Sequence, residues 1–275
     1  KARTIFSVVL LAFMFGMPLI KVGGHSFMML NIIDRKFIIF GQVFGTHDFF
    51  ILALGVITIV VSIILFTAIF GRVFCGWACP QTVFLEMVFR KIEFFIEGDY
   101  IKQKNLNSAP WSGSKFFKKI LKWSIFFALS VLIANTFLAW IIGIDELTHI
   151  ITDPVSKHMG GFIAMMIFSG VFYFVFAYFR EYACIYVCPY GRLQGVLLDK
   201  NSTVIAYDYV RGEPRGKIHK GEERTGGDCI DCKECMAVCP TAIDIRNGTQ
   251  LECVNCTACI DACDNIMDKI GKPKG

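Results

Sequence analysis

Four stretches of the chain are almost purely apolar: Thr4 to Ile20, Phe49 to Phe70, Ile120 to Ile142 and Gly161 to Phe179. Each comes close to the ~20 residues an α-helix needs to cross a bilayer, the first being the shortest. They predict four transmembrane helices. Between the second and third, Pro80 to Ile96 reads PQTVFLEMVFRKIEFFI, with apolar residues along one side and Glu86, Arg90, Lys91 and Glu93 along the other. This spacing predicts an amphipathic helix, either lying at the membrane surface or extending the second span and packing on its neighbours. After Arg180 polar residues become frequent, and AIDIRNGTQLEC alternates around Asn247-Gly248, which predicts a β-hairpin.

The expected architecture is a mainly α membrane protein with a four-helix transmembrane domain over 1–199, a basic linker over 200–226 and a small α+β module over 227–270. The chain starts at Lys1 rather than at a methionine and stops in the basic run Lys272, Pro273, Lys274. It therefore reads as a piece of a longer protein, with 271–275 as the start of a further region.

Composition agrees with lipid as part of the solvent, at 55% hydrophobic and 19% charged residues. The net charge of +5 is small and borders apolar spans, so it reads as topology charge and argues against nucleic acid as a partner. Between the second and third spans lie Arg90, Lys91, Lys102, Lys104, Lys115, Lys118, Lys119 and Lys122, whereas the loops at 21–48 and 143–160 are poorer in net positive charge. The positive-inside bias places the 90–122 loop, the N-terminus and the tail after Arg180 in the cytoplasm. The linker cations Arg211, Arg215, Lys217 and Lys220 suit a solvated segment, or one that touches anionic lipid or an acidic electron donor.

The chemistry lies in twelve cysteines. Cys229, Cys232, Cys235 and Cys239 stand in CIDCKECMAVCP, and Cys253, Cys256, Cys259 and Cys263 in CVNCTACIDACD. This is the bacterial cubane-binding spacing, in which three close thiolates hold one 4Fe-4S cluster and the fourth reaches across to the other. Cluster one takes Cys229, Cys232, Cys235 and Cys263; cluster two takes Cys253, Cys256, Cys259 and Cys239. Structural zinc prefers separated pairs and fits this pattern poorly. Cys263 is followed by Asp264 where the pattern has proline, which alters a turn and removes no ligand.

A second set, Cys75 and Cys79 in FCGWACPQ and Cys184 and Cys188 in ACIYVCPY, lies where spans meet the cytoplasm. The proline after Cys79 and Cys188 suits a first helical position, so each thiol is expected at a helix cap, with its ionisation eased by the helix dipole. Residues four apart share a helix face, so each pair would present two sulfurs together. Two such pairs would offer four soft ligands to copper, zinc or a further iron-sulfur cluster. The alternatives are ordinary buried cysteines and a disulfide relay. Arg72 and Arg180 precede the two pairs and would stabilise thiolates or a cluster, or snorkel to headgroups. His25, His47, His149 and His158, with Met14, Met17, Met28, Met29, Met159, Met165 and Met166, fall toward the outer side. They suit a soft metal or haem-linked uptake site, or simply loop and bilayer residues. No GxGxxG after a strand and no Walker loop is present, so electrons come from a partner protein or a quinol.

With these residues assembled, the chain resembles the cytochrome c oxidase accessory proteins called CcoG, FixG or RdxA. The resemblance rests on FIIFGQVFGTHDF, GRVFCGWACPQTVFLEMVFRKIE, CIYVCPYGRLQGVLLDKNSTVIAYDYVRGEPRG and the two-cluster run. It implies a multi-pass protein of the bacterial cytoplasmic (inner) membrane that reduces copper(II) to copper(I) for assembly of the cbb-type oxidase. It also implies copper carriers or oxidase assembly proteins as partners, and a longer chain ending in a further span and an immunoglobulin-like domain. Cys75, Cys79, Cys184 and Cys188 correspond to that family's two Cys-x3-Cys-Pro motifs. Related membrane ferredoxins share those pairs and the tail, which leaves two other readings open. One is a quinol-linked conduit to a protein acceptor, with another cluster at the four cysteines. The other is a non-enzymatic scaffold or copper chaperone.

Overall fold

A computed structural model describes residues 2–22, 25–31, 36–39, 42–44, 49–154, 157–199, 201–217 and 226–275. His47, Lys220 and the side chain of His25 lie outside that description. Four helices are long and apolar enough to cross a membrane: Ala2–Leu19, Ala53–Phe70, Gly113–Ile142 and Met159–Phe179. The chain divides into two compact units, one of residues 1–62 and 83–183, the other of 63–82 and 184–275.

In the first unit the third spanning helix begins at Gly113 rather than near Ile120, because its polar first turns are held. The Ser112 hydroxyl caps it by accepting from the Lys115 backbone N–H at 3.3 Å. Cations in the first turns of a helix oppose its dipole. Here Lys119 and Lys122 each lie 2.9 Å from a Glu97 carboxylate oxygen, and Lys122 lies 3.3 Å from Glu93. Arg180, at the end of the fourth span, reaches Glu93 at 3.0 Å. It does so from φ +41°, a conformation that disfavours a side chain and is held by this contact and by its N–H to Val175 O.

The segment after Pro80 is helical, but it does not lie on the lipid surface by its apolar side. Phe84, Leu85 and Phe89 are buried, and Phe84 and Phe89 form one core cluster with Phe126, Ile133 and Phe176 of the third and fourth spans. Phe89 stacks on Phe176 at 4.8 Å and meets Phe126 edge-on at 4.9 Å. Between spans lipid is as apolar as the partner helix, so such close ring packing, rather than expulsion of water, holds the helices together. Residues 84–89 take a π-helical path, and Phe95 remains exposed. Between the first two spans the chain forms short strands that the apolar pattern did not announce. Met28–Asn31, Lys36–Ile39 and Gln42–Phe44 pair antiparallel, with Met28 opposite Ile39 and Ile38 opposite Val43.

The second unit carries every cysteine. The second spanning helix, Phe49–Phe70, runs into it, and Ser202 Oγ donates to Ala68 O at 2.7 Å near the helix end. The hairpin expected around Asn247-Gly248 is absent; among residues 226–275 there is no strand. An Asx turn wins instead. The Asp244 carboxylate accepts the Arg246 backbone N–H at 3.1 Å and Arg246 Nε at 2.8 Å, so Ile245–Asn247 closes as a 3-10 turn. Arg246, itself buried, also pairs with Asp231 at 2.5 Å, and this joins the turn to the first cysteine run.

Candidate iron-sulfur and thiol sites

None of the twelve cysteines is in a disulfide. The two tail runs have the same backbone. Asp231 and Lys233 flank Cys232 with φ +53° and +60°, while Asn255 and Thr257 flank Cys256 with φ +51° and +62°. Alternating signs of φ turn successive N–H groups toward one concave side, forming a nest suited to an anionic cluster. Asn and Asp visit this region cheaply, whereas Lys233 and Thr257 sit there at some cost, which marks a loop shaped for what it surrounds.

The thiols gather into two groups. Burial pushes Cys263 up, and Cys232 and Cys229 add to it. Burial pushes Cys235 up to about 11 against the pull of Arg246, with Cys232 again contributing. In the other group burial pushes Cys259 up to about 12, with Cys256, Cys253 and Cys239 adding, and Cys253 rises by burial with Cys239 adding. Cavities follow the same division: one is lined by Cys229, Cys232, Cys235 and Cys263 with Cys259, another by Cys239, Cys253, Cys256 and Cys259 with Cys235. Thiols held this far above neutrality remain protonated until a strong cation displaces the proton, as iron does. Among the described residues no three His, Cys, Asp or Glu side chains converge on a single-ion site. Four thiolates that each bind a different corner of a cubane need wider separation than four ligands of one zinc, so the donor set fits two 4Fe-4S clusters.

The second set is also brought together, although not as the sequence suggested. Cys75 lies in the helix Val73–Trp77, but Cys79 lies beyond its end, immediately before the helix that starts at Pro80. Cys184 is in the π-helical turn Ala183–Val187, and Cys188 caps the helix Pro189–Leu197 with proline at its start. Neither pair shares one regular helix face. Even so, Cys79, Cys184 and Cys188 all act on the Cys75 thiol, which burial pushes up to about 12 against the pull of Arg72. The expected easing of ionisation fails for Cys79 as well. Burial raises its thiol, and the Thr82 and Gln81 backbone N–H groups offset that only in part.

Residues not singled out in the sequence complete this site. Gln194, fully buried, accepts a 2.7 Å hydrogen bond from Cys75 Sγ at Oε1. Gly76 packs so closely on the second ferredoxin run that a Cβ there would stand 2.8 Å from Cys256 Cα. Cys75, Val254 and Cys256 form one buried cluster. The two arginines that precede the cysteine pairs differ: Arg180 pairs with Glu93 in the first unit, whereas Arg72 is buried in the second and donates from one guanidinium nitrogen to Leu251 O. Of the loop histidines, His158 lies 3.5 Å from Asp153, and no group of three or more His, Cys, Asp or Glu that could hold a metal ion is found among the described residues.

Comparison with known proteins agrees with this chemistry. Residues 179–275 match the 4Fe-4S dicluster domain family, and residues 52–97 match a 4Fe-4S binding domain family. The chain is 39% identical to the protein RdxA of Cereibacter sphaeroides over 90% of this chain and 52% of that one. It is 37% identical to the nitrogen fixation protein FixG of Rhizobium meliloti over 92% and 49%. It is 28% identical to an uncharacterized protein of Methanocaldococcus jannaschii over 74% and 72%. The chain thus spans about half the length of the RdxA and FixG proteins. No solved structure matches. The chain is a membrane iron-sulfur electron-transfer protein with two 4Fe-4S clusters.

Proposed function

The chain belongs to the FixG/RdxA family of membrane iron-sulfur proteins, and on that premise we propose that it reduces copper(II) to copper(I) for assembly of a cbb-type cytochrome oxidase. The observation that carries this reading is the contact of Cys75 with Cys256: the soft donor set at the membrane edge packs directly on a ferredoxin cysteine. Cys229, Cys232, Cys235 and Cys263 would hold one cluster, and Cys239, Cys253, Cys256 and Cys259 the other. When bound, the clusters supply one-electron carriers at low potential. One electron from the donor, a quinol or a soluble reductase, converts one copper(II) to one copper(I), with no bond made or broken in the substrate. Cys75, Cys79, Cys184 and Cys188 receive the substrate ion, and thiolates favour its reduced form. By the positive-inside bias the site and the ferredoxin module face the cytoplasm across the bacterial inner membrane.

A second reading has its own support. The 4Fe-4S binding domain match over 52–97 contains Cys75 and Cys79 and none of the tail cysteines. It favours a further cluster at the four cysteines and a quinol-linked conduit to a protein acceptor. Anaerobic titration of the reduced protein with copper(II), following cluster absorbance and paramagnetic resonance while a chelator reports copper(I), separates the two. Copper(I) matching cluster oxidation, slowed in Cys75→Ser and Cys184→Ser, supports the reductase. Clusters that stay reduced overturn it, and an iron count above about eight per chain establishes the conduit. Retained copper binding after cluster loss would instead mark a scaffold or chaperone.

A further inference from the structure

We infer that Arg72 is a positioning residue shared by the second cluster's cysteine cradle and the Cys75 group, so that it tunes the second cluster and not the first. Arg72 is 5% exposed, and its Nε is buried without a hydrogen-bond partner. A buried cation with an orphaned N–H is costly unless an anion lies beside it. Arg72 lines one cavity with Cys184 of the membrane set and with Leu251, Glu252 and Val254 of the second ferredoxin run. Arg72 pulls down the thiols of both Cys75 and Cys253, and its other end is fixed on Leu251 O, two residues before Cys253. None of residues 226–239, which carry the first cysteine run, lines that cavity.

The backbone sets the same junction. At Gly76 a Cβ would lie 2.8 Å from Cys256 Cα and 2.9 Å from its N, both backbone atoms that cannot swing aside. At Gly191 it would lie 2.9 Å from Cys184 O and 3.2 Å from an Arg72 terminal nitrogen. Arg72 thus lies against Gly191 beside Cys184 at one side and on Leu251 O of the second run at the other. A buried positive charge beside a cluster favours the reduced, more negative state and raises the potential. This inference rests on the cluster assignment and not on copper as substrate, so it survives a negative copper titration.

The test is a potentiometric titration of the two-cluster protein followed by paramagnetic resonance, comparing wild type with Arg72→Gln and Arg72→Lys. Arg72→Gln is expected to move one cluster about tenfold toward oxidation, ~59 mV for one electron, and to leave the other in place. Arg72→Lys keeps the charge and should recover most of the shift. In the Cys263→Ala background, where the second cluster alone remains, the surviving signal must carry the shift. Gly76→Ala should perturb that same signal. Movement of neither cluster, equal movement of both, or a shift confined to the first cluster overturns the inference. If Arg72→Gln loses iron, loss of the first cluster's signal overturns it, and selective loss of the second supports it.

Discussion

Cys75 Sγ donates a 2.7 Å hydrogen bond to Gln194 Oε1, and the Gln194 amide nitrogen donates onward to Thr67 Oγ1 at 3.2 Å. Thr67 in turn donates to Ile63 O, so one buried chain of polar groups ties the thiol to the last turns of the second spanning helix. The acceptor holds Cys75 as a thiol, and a metal ion that takes this sulfur as thiolate must displace the proton and break the bond. Gln194→Leu should therefore cost about 1 kcal/mol of stability while, on the proposed function, copper(I) affinity in chelator competition holds or rises with the iron content unchanged. A loss of about tenfold in copper(I) affinity would show that Gln194 supports the metal-bound sulfur instead.

Cys263 sits in the second cysteine run, yet its thiol is raised by Cys232 and Cys229 of the first. Cys239 stands in the first run, yet it acts on Cys253 and Cys259. Cys263→Ala should then remove the cluster that Cys232→Ala removes, and Cys239→Ala the one that Cys256→Ala removes. Each should lose about four irons per chain and leave the same residual resonance signal within each pair. Signals that instead group by sequence run would refute the crossed arrangement.

The parts read most easily from sequence were those written in short range. An unbroken apolar stretch such as Phe49–Phe70 and the three-residue cysteine spacing each constrain structure without reference to distant residues. The parts misread or left open depend on competition or on distance. Asn247-Gly248 is a good hairpin pair, but Asp244 and Arg246 capture the backbone first, through contacts that include Asp231 fifteen residues away. The apolar side of 84–97 looks the same whether it meets lipid or Phe126 and Phe176, and only packing distinguishes them. Gln194 carries no motif, so its link to Cys75, 119 residues earlier, emerges from the fold alone.

Glu97 is buried, and its carboxylate meets Lys119 and Lys122 at 2.9 Å each. Burial by itself raises such a carboxyl, but the two lysines outweigh it and hold Glu97 below its ordinary value of 4.5. A depressed native value means the stabilisation is complete above about 4.5 and is lost as pH falls through the lower native value. Glu97→Gln leaves buried Lys122 with Glu93 alone and half-buried Lys119 with Asn107, and should destabilise the first unit by about 1–3 kcal/mol. It should also flatten this acid limb in thermal unfolding of the detergent-solubilised protein. A variant as stable as wild type at neutral pH would show that the lysines find other partners.

Orientation is open to a protease. Lys102 and Lys104 are exposed on the helix Tyr100–Ser108, and Lys157 is exposed before the fourth span. The third spanning helix, Gly113–Ile142, separates them, so they lie on opposite faces of the membrane whichever way the protein inserts. The cation-rich 90–122 segment assigns Lys102 and Lys104 to the cytoplasm. Trypsin should cut at these two in inside-out vesicles and spare them in right-side-out ones, with Lys157 showing the reverse. On that assignment the fourth span would return the chain to the cytoplasm, where thiols stay reduced and clusters can be inserted. Cleavage of Lys102 and Lys104 from the outer face would place the ferredoxin module outside and remove the cytoplasmic reductase as a reading of this chain.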